Sequence, residues 1–464
     1  MLKIKQFIGD KKFYKTTFAI ILPIMIQQLF LSIASYVDSL MINGYGGAST
    51  AAYDGVSAAN KIMFVLNFIW IGFAATASIF VAQYYGAKNK EKVRESLRLS
   101  ILMAIGIGII SFVLIHFAGN SIVNAYVSDP QRRQFGYDYL SYIKWGTVIT
   151  AVNLAFANAF RSIKKPNISL IASISGIVVN VFFNYCFIFG HLGFPEMAAA
   201  GAALATVISR VVELLVFLVV TIFSKNEYIN KNLFKEFEIE KDLVKKYVKK
   251  GGPVVFNEIM WSMGIVIYAL LYTYGNDVWY NAYSISQNIS DLFFIIFAGL
   301  GSGSAIIIGA SLGKSDFEQA KLDGKRLIGL SIILGLIMGI LMIALGPLVI
   351  SMFNTSPTTT KLVMSILIVT AIFLVVYSFN SVCFFILRAG GDSLRAFILD
   401  QLPTYLIGIP IAALFGLNAS DWGLSLALIF ALTHLGDMVK IFMSIYFVKK
   451  GYWLVNITLK EQQI

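Results

Sequence analysis

The sequence carries little charge, two cysteines and three histidines. Only 13% of its 464 residues are Asp, Glu, Lys or Arg, whereas a soluble domain carries about 25%, so the chain cannot cover a water-facing surface. Cys186 and Cys383 both fall inside apolar runs, which leaves no disulfide framework. His116, His191 and His434 lie far apart in sequence and form no ligand spacing. We therefore expect no structural zinc site.

Long apolar runs dominate what is present. Hydrophobic residues make up 58% of the chain, and the mean hydropathy is +0.75. Twelve spans of roughly 20 residues would use about 240 positions and leave short loops. The sequence therefore predicts an all-α membrane protein with twelve transmembrane helices. The predicted spans are 17–42, 58–83, 99–118, 138–160, 168–190, 199–223, 254–274, 283–311, 328–350, 362–387, 396–416 and 422–447.

The placement of basic residues predicts the topology. The net charge is +12, and thirty of the 37 Lys and Arg residues lie in the two tails and in alternate loops, whereas the intervening loops hold three. Basic residues accumulate on the cytoplasmic side, so both termini should be cytoplasmic in a multi-pass cell-membrane protein. Residues 1–15 are basic, but the apolar run continues past Met41 without a small-residue cleavage site. We expect a first helix there and not a signal peptide.

The two halves of the chain resemble each other. Residues 82–88 are similar to residues 309–315, and at the same offset of 227 Arg161 corresponds to Arg388. Six helices per repeat is an even number, so the halves should enter the membrane in the same direction as a parallel internal repeat. Such a duplicated six-helix unit is a transporter architecture.

This repeat predicts the domain organisation. Residues 1–223 form the N-terminal lobe with helices one to six, and residues 253–464 form the C-terminal lobe with helices seven to twelve. Residues 224–252 form a basic cytoplasmic linker. Pro23 and Pro253 are expected to open the first helix of each lobe.

Acidic residues inside the spans are the most informative positions. An acid in hydrocarbon costs several kcal/mol unless it faces a partner or a wet cavity. Asp38 lies late in the first span, and the alternative is a carboxylate at the headgroup level. Glu258 follows Pro253 and could instead lie near a helix N-terminus at the membrane surface. Asp400 precedes Pro403, which together with Pro410 breaks its helix and could expose the acid to water.

Polar residues in spans five and six form a second group. Asn180 and Asn184 are four residues apart and share one helical face, which is often only interhelical glue. Thr206 closes the small-residue stretch 201–206, which permits close helix packing. Arg210 and Glu213 are three residues apart and could pair with each other as a structural element.

These features together resemble the multidrug and toxic compound extrusion (MATE) transporters of the bacterial type. The similarity covers nearly the whole chain. It rests on Val-Asp-Ser at the end of helix one, and on three further motifs: Val-Ala-Gln-Tyr-Tyr-Gly-Ala-Lys at 81–88, Gly-Ala-Ala-Leu-Ala-Thr at 201–206 and Leu-Arg-Ala-Gly-Gly-Asp at 387–392. The resemblance implies two six-helix lobes in a V shape around a central cavity. It also implies export driven by inward flow of Na⁺ or H⁺.

The resemblance implies a coupling site at Asp38, Asn180, Asn184 and Thr206. Family members carry an acid at the position of Asn184, so this chain has one negative charge fewer at that site. Oxygen ligands from one carboxylate, two amides and a hydroxyl could still hold a monovalent cation, but the loss of one negative charge should weaken a Na⁺ site, and the balance favours H⁺. No other cofactor is expected.

The C-terminal lobe departs from the family pattern. Some relatives carry an aspartate in helix ten about three turns before the arginine at position 388, where this chain has Tyr377, Ser378 and Asn380. The C-terminal lobe is therefore not expected to hold its own cation site, unless Glu258 serves. Glu258 and Asp400 remain candidates for a secondary acidic site.

These features distinguish several classes of membrane protein. A secondary exporter of amphiphilic or cationic organic compounds agrees best, and a flippase for a lipid-linked precursor is the alternative. A flippase would want a basic cavity, but the spans offer few inward basic residues, mainly Lys61, Lys144 and Arg210. A membrane enzyme would need a clustered catalytic constellation, and an ATP-driven pump a nucleotide motif. We expect a monomer surrounded by lipid, with a small amphiphilic substrate and no nucleic-acid partner.

Overall fold

The computed structural model describes residues 4–45, 50–235, 238–274, 276–353 and 355–459. Within these ranges the regular structure is helical, with no β-strand. A helix satisfies its backbone hydrogen bonds within one segment, which is what a lipid environment without water requires. The α-helices are α1 (Lys11–Gly44), α2 (Ala51–Gly86), α3 (Lys90–Tyr126), α4 (Pro130–Ile143), α5 (Thr147–Ser162), α6 (Pro166–Phe189), α7 (Ala198–Phe223), α8 (Lys241–Tyr272), α9 (Asp277–Gly313), α10 (Phe317–Ile350), α11 (Pro357–Ala389), α12 (Ser393–Pro403), α13 (Ile409–Leu417), α14 (Leu426–Thr433) and α15 (Leu435–Lys450).

The twelve predicted spans correspond to these helices. Eleven helical segments of the described chain are long and apolar enough to cross a membrane. The fourth predicted span, 138–160, lies across α4 and α5, which a 3-10 turn at Lys144–Gly146 separates. The hydroxyl of Thr147 donates to the Gly108 carbonyl at 3.0 Å, which holds this turn against α3. The all-α fold with twelve transmembrane segments is confirmed.

Proline positions differ from the expectation. Pro23 and Pro253 lie inside α1 and α8, each twelve residues after the helix begins at Lys11 or Lys241. The expectation that they open these helices is wrong, because each helix already begins about three turns before its proline. At Pro403, α12 passes into a π-helical turn, Thr404–Gly408, that leads into α13, so Pro403 and Pro410 do not separate the span into two helices.

Two compact units pack separately. The first contains Met1–Met25 and Ile259–Ile464, and the second contains Ile26–Glu258. The unit boundaries therefore lie inside α1 and α8. The predicted lobes of residues 1–223 and 253–464 are defined by sequence repeat, and their boundaries stay a prediction.

The first unit has a core of aliphatic residues that includes the beginning of α1. Ile21, which is fully buried, packs with Leu300, Ile308 and Leu387 in this core. A Cβ atom on Gly303 would lie 2.5 Å from the Ile21 side chain. Glycine at this position therefore permits the close approach of α9 to α1. Cys383 is buried in the same core, as its apolar setting predicted.

The second unit includes the beginning of α8. The ring of Tyr247 stacks on Phe80 at 5.7 Å between centroids, and its hydroxyl donates to the Phe73 carbonyl at 2.7 Å. A Cβ atom on Gly72 would lie 2.9 Å from the Val255 Cα. Close packing between α2 and α8 therefore fixes this half of α8.

The predicted linker is docked on α3 in the second unit. The buried Arg98 guanidinium donates from Nε to the Leu233 carbonyl at 2.8 Å and from Nη2 to the Asn232 carbonyl at 3.2 Å. Lys92 Nζ lies 2.6 Å from Glu240 Oε1. These contacts satisfy backbone carbonyls of an irregular segment that water would otherwise have to satisfy.

Candidate functional site

Asp38 lies late in α1 and is half-buried. Its Oδ1 accepts a hydrogen bond of 2.5 Å from Asn184 Nδ2 on α6. Asn184 is 1% exposed, so the donor of this hydrogen bond lies out of water. A charge-assisted hydrogen bond of this kind stabilises the ionised carboxylate, which burial alone would disfavour.

The four predicted coupling residues form one hydrogen-bonded chain. Asn184 Nδ2 also donates to Asn180 Oδ1 at 3.3 Å, and Asn180 Nδ2 donates to Thr206 Oγ1 at 3.3 Å. The Thr206 hydroxyl in turn donates to the Ala202 carbonyl at 3.0 Å. The structure therefore brings Asp38 together with the three neighbours that the resemblance implied.

The local sequence explains how α6 and α7 come close enough for this chain. Asn180 and Asn184 are one helical turn apart, which places both amides on one face. Along α7, Ala202, Ala203 and Ala205 are buried. A Cβ atom on Gly201 would lie 2.7 Å from the Phe187 carbonyl group. Small residues thus let the two backbones approach, as they do at other helix interfaces in membranes.

Arg210 connects this chain to a neighbouring carboxylate. Its guanidinium acts electrostatically on Asp38, and its Nη1 lies 2.7 Å from Glu213 Oε2. The predicted pairing of Arg210 with Glu213 is confirmed. The Asp38 carboxylate therefore shares a cation with a second acid in the same unit.

Glu213 is the centre of a further buried network that sequence reasoning missed. Ser173 Oγ donates to Glu213 Oε1 at 2.8 Å, and Gln27 Nε2 donates to Ser173 Oγ at 2.7 Å. Arg161 Nη2 donates to Gln27 Oε1 at 2.6 Å. Asn153 Nδ2 reaches Glu213 Oε2 at 3.3 Å. The sequence signal was single polar residues in four separate spans, which form a network only when these spans pack together.

The orientation of the Asn184 amide decides how well the site suits a metal ion. Its NH₂ group points at oxygens of Asp38 and Asn180, while its Oδ1 is buried without a hydrogen-bond partner in the described chain. A hard cation takes oxygen ligands. Na⁺ between Asp38, Asn180 and Thr206 would therefore require the Asn184 amide to turn over and present Oδ1. A proton on Asp38 requires no such rearrangement.

The two candidates for a secondary acidic site lie in different settings. Glu258 is on α8, well past the start of that helix at Lys241, so the alternative of a residue near a helix N-terminus is wrong. It lies beside Gly72 of α2, where an added Cβ atom would be 3.3 Å from Glu258 Cγ. Asp400 Oδ1 lies 3.4 Å from Lys440 Nζ, so this acid lies beside a cation.

Sequence reasoning also missed a cluster in the first unit around Lys440. Lys440 Nζ lies 3.2 Å from Asp437 Oδ1 as well as near Asp400, and Asp437 Oδ2 is 2.7 Å from His434 Nδ1. The signal was available: His434, Asp437 and Lys440 are spaced by three residues within one apolar span. Lys440 is a further basic residue inside a span, beside Lys61, Lys144 and Arg210.

A known protein family matches this sequence in both halves of the chain. The MatE family model matches residues 23–186 and 253–414. The chain belongs to the MATE family. The two matched segments begin at Pro23 and Pro253, so the internal repeat is confirmed in this MATE transporter.

Relatives share low identity with this MATE chain over most of its length. "Probable multidrug resistance protein NorM" of Bacillus cereus is 23% identical over 462 residues, or 98% of this chain and 97% of the relative. "Uncharacterized transporter YisQ" of Bacillus subtilis is 23% identical over 412 residues, or 88% of this chain and 89% of the relative. The family consists of transporters, so this chain is a multi-pass membrane transporter of the multidrug efflux type.

Solved structures have the same fold. A MATE crystal structure in the bent conformation superposes with a TM-score of 0.84 at 18% identity, covering 96% of each chain. A MOP superfamily transporter from Pyrococcus furiosus, described by reverse polarity of its binding pocket, gives a TM-score of 0.83 at 18% identity, with 96% of this chain and 97% of that chain covered. These likenesses show the fold of this MATE chain.

Proposed function

We propose that the protein is a secondary antiporter that exports amphiphilic or cationic organic compounds in exchange for H⁺, coupled through Asp38. The observation that carries this proposal is the hydrogen bond of Asn184 to an acid in an apolar span. An intramembrane acid of this kind is costly unless it has a partner or faces a wet cavity, and such acids mark proton and ion pathways. The chain Asp38, Asn184, Asn180 and Thr206 supplies that partner.

Charge balance supplies a mechanism for exchange. Asp38 and Glu213 oppose Arg161 and Arg210, so this group in the second unit is neutral when Asp38 is ionised. A proton on Asp38 leaves one positive charge in excess. A cationic substrate is then disfavoured, and release of the proton restores the affinity for it. Proton and substrate therefore compete through charge and conformation and do not need the same atoms.

Support for H⁺ over Na⁺ comes from the amide at position 184. In the observed orientation the Asn184 NH₂ group occupies the space between oxygens of Asp38 and Asn180. Protonation of Asp38 alters one oxygen and leaves both amides in place. Na⁺ binding would require the Asn184 amide to turn over, and the site would offer the ion one carboxylate, that of Asp38.

The basic residues of the spans give little support to a flippase. Arg210 is paired with Glu213, and Lys440 Nζ lies 3.2 Å from Asp437 Oδ1 and 3.4 Å from Asp400 Oδ1. A phosphate-bearing substrate would need cations that are not already engaged with an acid. Export of organic cations or neutral amphiphiles remains the proposal.

Transport by the purified protein tests this function. Proteoliposomes would receive a fluorescent cationic dye, with a pH gradient or a Na⁺ gradient imposed separately at zero membrane potential. We expect a pH gradient to drive dye movement and a Na⁺ gradient alone to leave it at the level of empty liposomes. Dye movement driven by a Na⁺ gradient alone would show that Na⁺, and not H⁺, is the coupling ion. Absence of dye movement under both gradients, and stimulated movement of a fluorescent lipid-linked sugar, would favour the flippase.

Topology has a separate test. We propose that both termini and the 224–252 segment face the cytoplasm, because basic residues concentrate on that side. Lys235→Cys, in a background without Cys186 and Cys383, is expected to resist a membrane-impermeant thiol reagent in intact cells and to react after permeabilisation. A cysteine at Ser420, on the opposite side, is the matched control and should react in intact cells. Reaction at position 235 in intact cells would reverse the topology.

A further inference from the structure

A lysine and a histidine of the second unit meet beside the 3-10 turn that divides the fourth span. Lys144 begins this turn, and its Nζ lies 3.3 Å from Nδ1 of His116 on α3. A Cβ atom on Gly108 of α3 would lie 2.6 Å from the Cα of Val148 on α5. Close packing of these two helices therefore holds the turn, and with it Lys144, against α3.

Both side chains lie near the same end of their spans. Lys144 is six residues after the start of the predicted span 138–160, and His116 is two residues before the end of the predicted span 99–118. Consecutive spans cross in opposite directions, so these two ends are on the same side of the membrane. Trp145 is 63% exposed, and an exposed indole is favoured at the headgroup level. The pair therefore lies close to the level of the lipid phosphates.

His116 belongs to a face of α3 that is otherwise apolar and exposed. Side chains at spacings of three or four residues are all exposed on this face: Leu102, Ile105, Ile109, Val113 and Phe117. His116 follows Ile109 by seven residues, or about two turns, and is exposed as well. An exposed apolar face on a membrane-spanning helix is a surface for acyl chains. Lys144, which the sequence places among the inward basic residues, lies at this exposed face instead.

The polar side-chain atoms at this place act as donors. A lysine ammonium has N–H donors and no acceptor, so its contact with His116 requires the ring lone pair to be on Nδ1. The neutral ring then carries its proton at Nε2, which is also a donor. The indole of Trp145 adds a further N–H and no acceptor. Among the described residues, no acceptor takes the His116 Nε2–H, the Trp145 N–H or the remaining ammonium protons of Lys144.

Phe112 holds these side chains together. Its ring stacks on His116 at 6.0 Å between centroids, packs at a tilt on Trp145 at 4.8 Å, and lies 5.9 Å from Lys144 Nζ. We call Phe112, His116, Lys144 and Trp145 the Lys144 patch. Its ammonium forms no ion pair with a carboxylate of the described chain, so one positive charge is uncompensated. Such a charge in a span is costly without a partner.

We propose that the Lys144 patch binds the phosphate of an anionic phospholipid whose acyl chains lie along the exposed face of α3. A phosphodiester has acceptors, no donor and one negative charge, so it matches a patch of donors that carries one positive charge. A zwitterionic lipid brings its own ammonium group and leaves the charge of Lys144 uncompensated. The anionic lipid is a neighbour on the exposed surface and not the transported substrate. The proposal does not rest on the export function.

Quenching of Trp145 fluorescence by brominated lipids tests the proposal in a bilayer. The full-length protein would be reconstituted in phosphatidylcholine vesicles that contain a small fraction of brominated phosphatidylglycerol or of brominated phosphatidylcholine. The Trp145 signal is the difference between each protein and its Trp145→Phe counterpart. We expect phosphatidylglycerol to be preferred at Trp145 by about fivefold, the effect of one lysine near an anionic membrane surface. Equal quenching by the two brominated lipids would overturn the proposal.

Variants separate the Lys144 patch from general effects of charge. Lys144→Gln should abolish the preference, whereas Lys144→Arg keeps a cation and should retain it. His116→Phe preserves an aromatic ring against Phe112 but removes both ring nitrogens, and should lower the preference by about twofold or more. Lys361→Gln removes an exposed cation on the same side of the membrane and should leave the preference at Trp145 unchanged. A full preference in both Lys144→Gln and His116→Phe would contradict the assignment.

Inorganic phosphate distinguishes a lipid from a free anion. It carries the same acceptor atoms without acyl chains, and at constant ionic strength we expect it to leave the quenching by brominated phosphatidylglycerol unchanged. Relief of that quenching would identify a free anion as the ligand and overturn the assignment to lipid. The measurement needs no transport, so failure of dye export and failure of the lipid preference are separate results.

Discussion

Asp38→Asn is expected to abolish dye export driven by a pH gradient while leaving the protein folded. The amide has the shape of the protonated carboxyl and retains the capacity to contact Asn184, but it cannot gain or lose a proton. Coupling requires that charge at this position alternates. Proteoliposome flux should fall by at least about tenfold, to the level of empty liposomes. Because the amide mimics the protonated acid, the detergent-purified variant should also bind the cationic dye more weakly than the wild type.

Matched variants sharpen this result. Asp138→Asn changes an acid that accepts from Gln134 on an exposed helix surface, and it should export dye at the wild-type rate. Asp38→Glu keeps the titratable group and should retain part of the activity. Normal export by Asp38→Asn would remove Asp38 from the mechanism, and Glu258 would then be the next acid to test.

Glu213→Leu is expected to destabilise the protein by about 3–5 kcal/mol, as removal of one partner of a buried ion pair generally does. Glu213 is 4% exposed and accepts from Ser173, Asn153 and Arg210. The variant leaves these donors without their acceptor and Arg210 without its carboxylate. Thermal unfolding in detergent, followed by intrinsic fluorescence, measures the effect as a large fall in melting temperature.

A double variant separates charge from packing. Glu213→Leu combined with Arg210→Leu removes both charges and should recover a substantial part of the lost stability, because no unpaired charge remains at that site. Glu196→Gln, which affects an exposed acid bonded to Tyr45, should change the melting temperature little. A single Glu213→Leu variant as stable as the wild type would show that the network contributes no net stability.

Much of the fold was predictable because lipid limits the choices. A long apolar run in a membrane must be a helix, so hydropathy located the spans, including the fourth, which the structure breaks at Lys144–Gly146. The same limits explain why the i, i+3 pair of Arg210 and Glu213 was predicted correctly, since both residues lie on one helix. Contacts across helices were predictable where the family resemblance named them, as for Asp38 and Asn184.

Other features depended on which helices pack together. The partner of Asp400 is on α15, forty residues away, and the network of Glu213 joins Gln27 to Arg161 across 134 residues. No periodicity within one span specifies the neighbour that its polar face meets. The same holds for the unit boundaries, which lie inside α1 and α8 and depend on which helices each half contacts.

The sequence by itself determined the membrane class, the helix count, the repeat and the acid in the first span, because these follow from hydropathy and from residue type. Tertiary structure alone decided which polar side chains meet. It placed Asn184 against Asp38, and it placed His434, Asp437 and Lys440 beside Asp400. The physical reason is that an ionisable residue in a span must find its partner on another helix, and the packing of small residues determines which helix comes close enough.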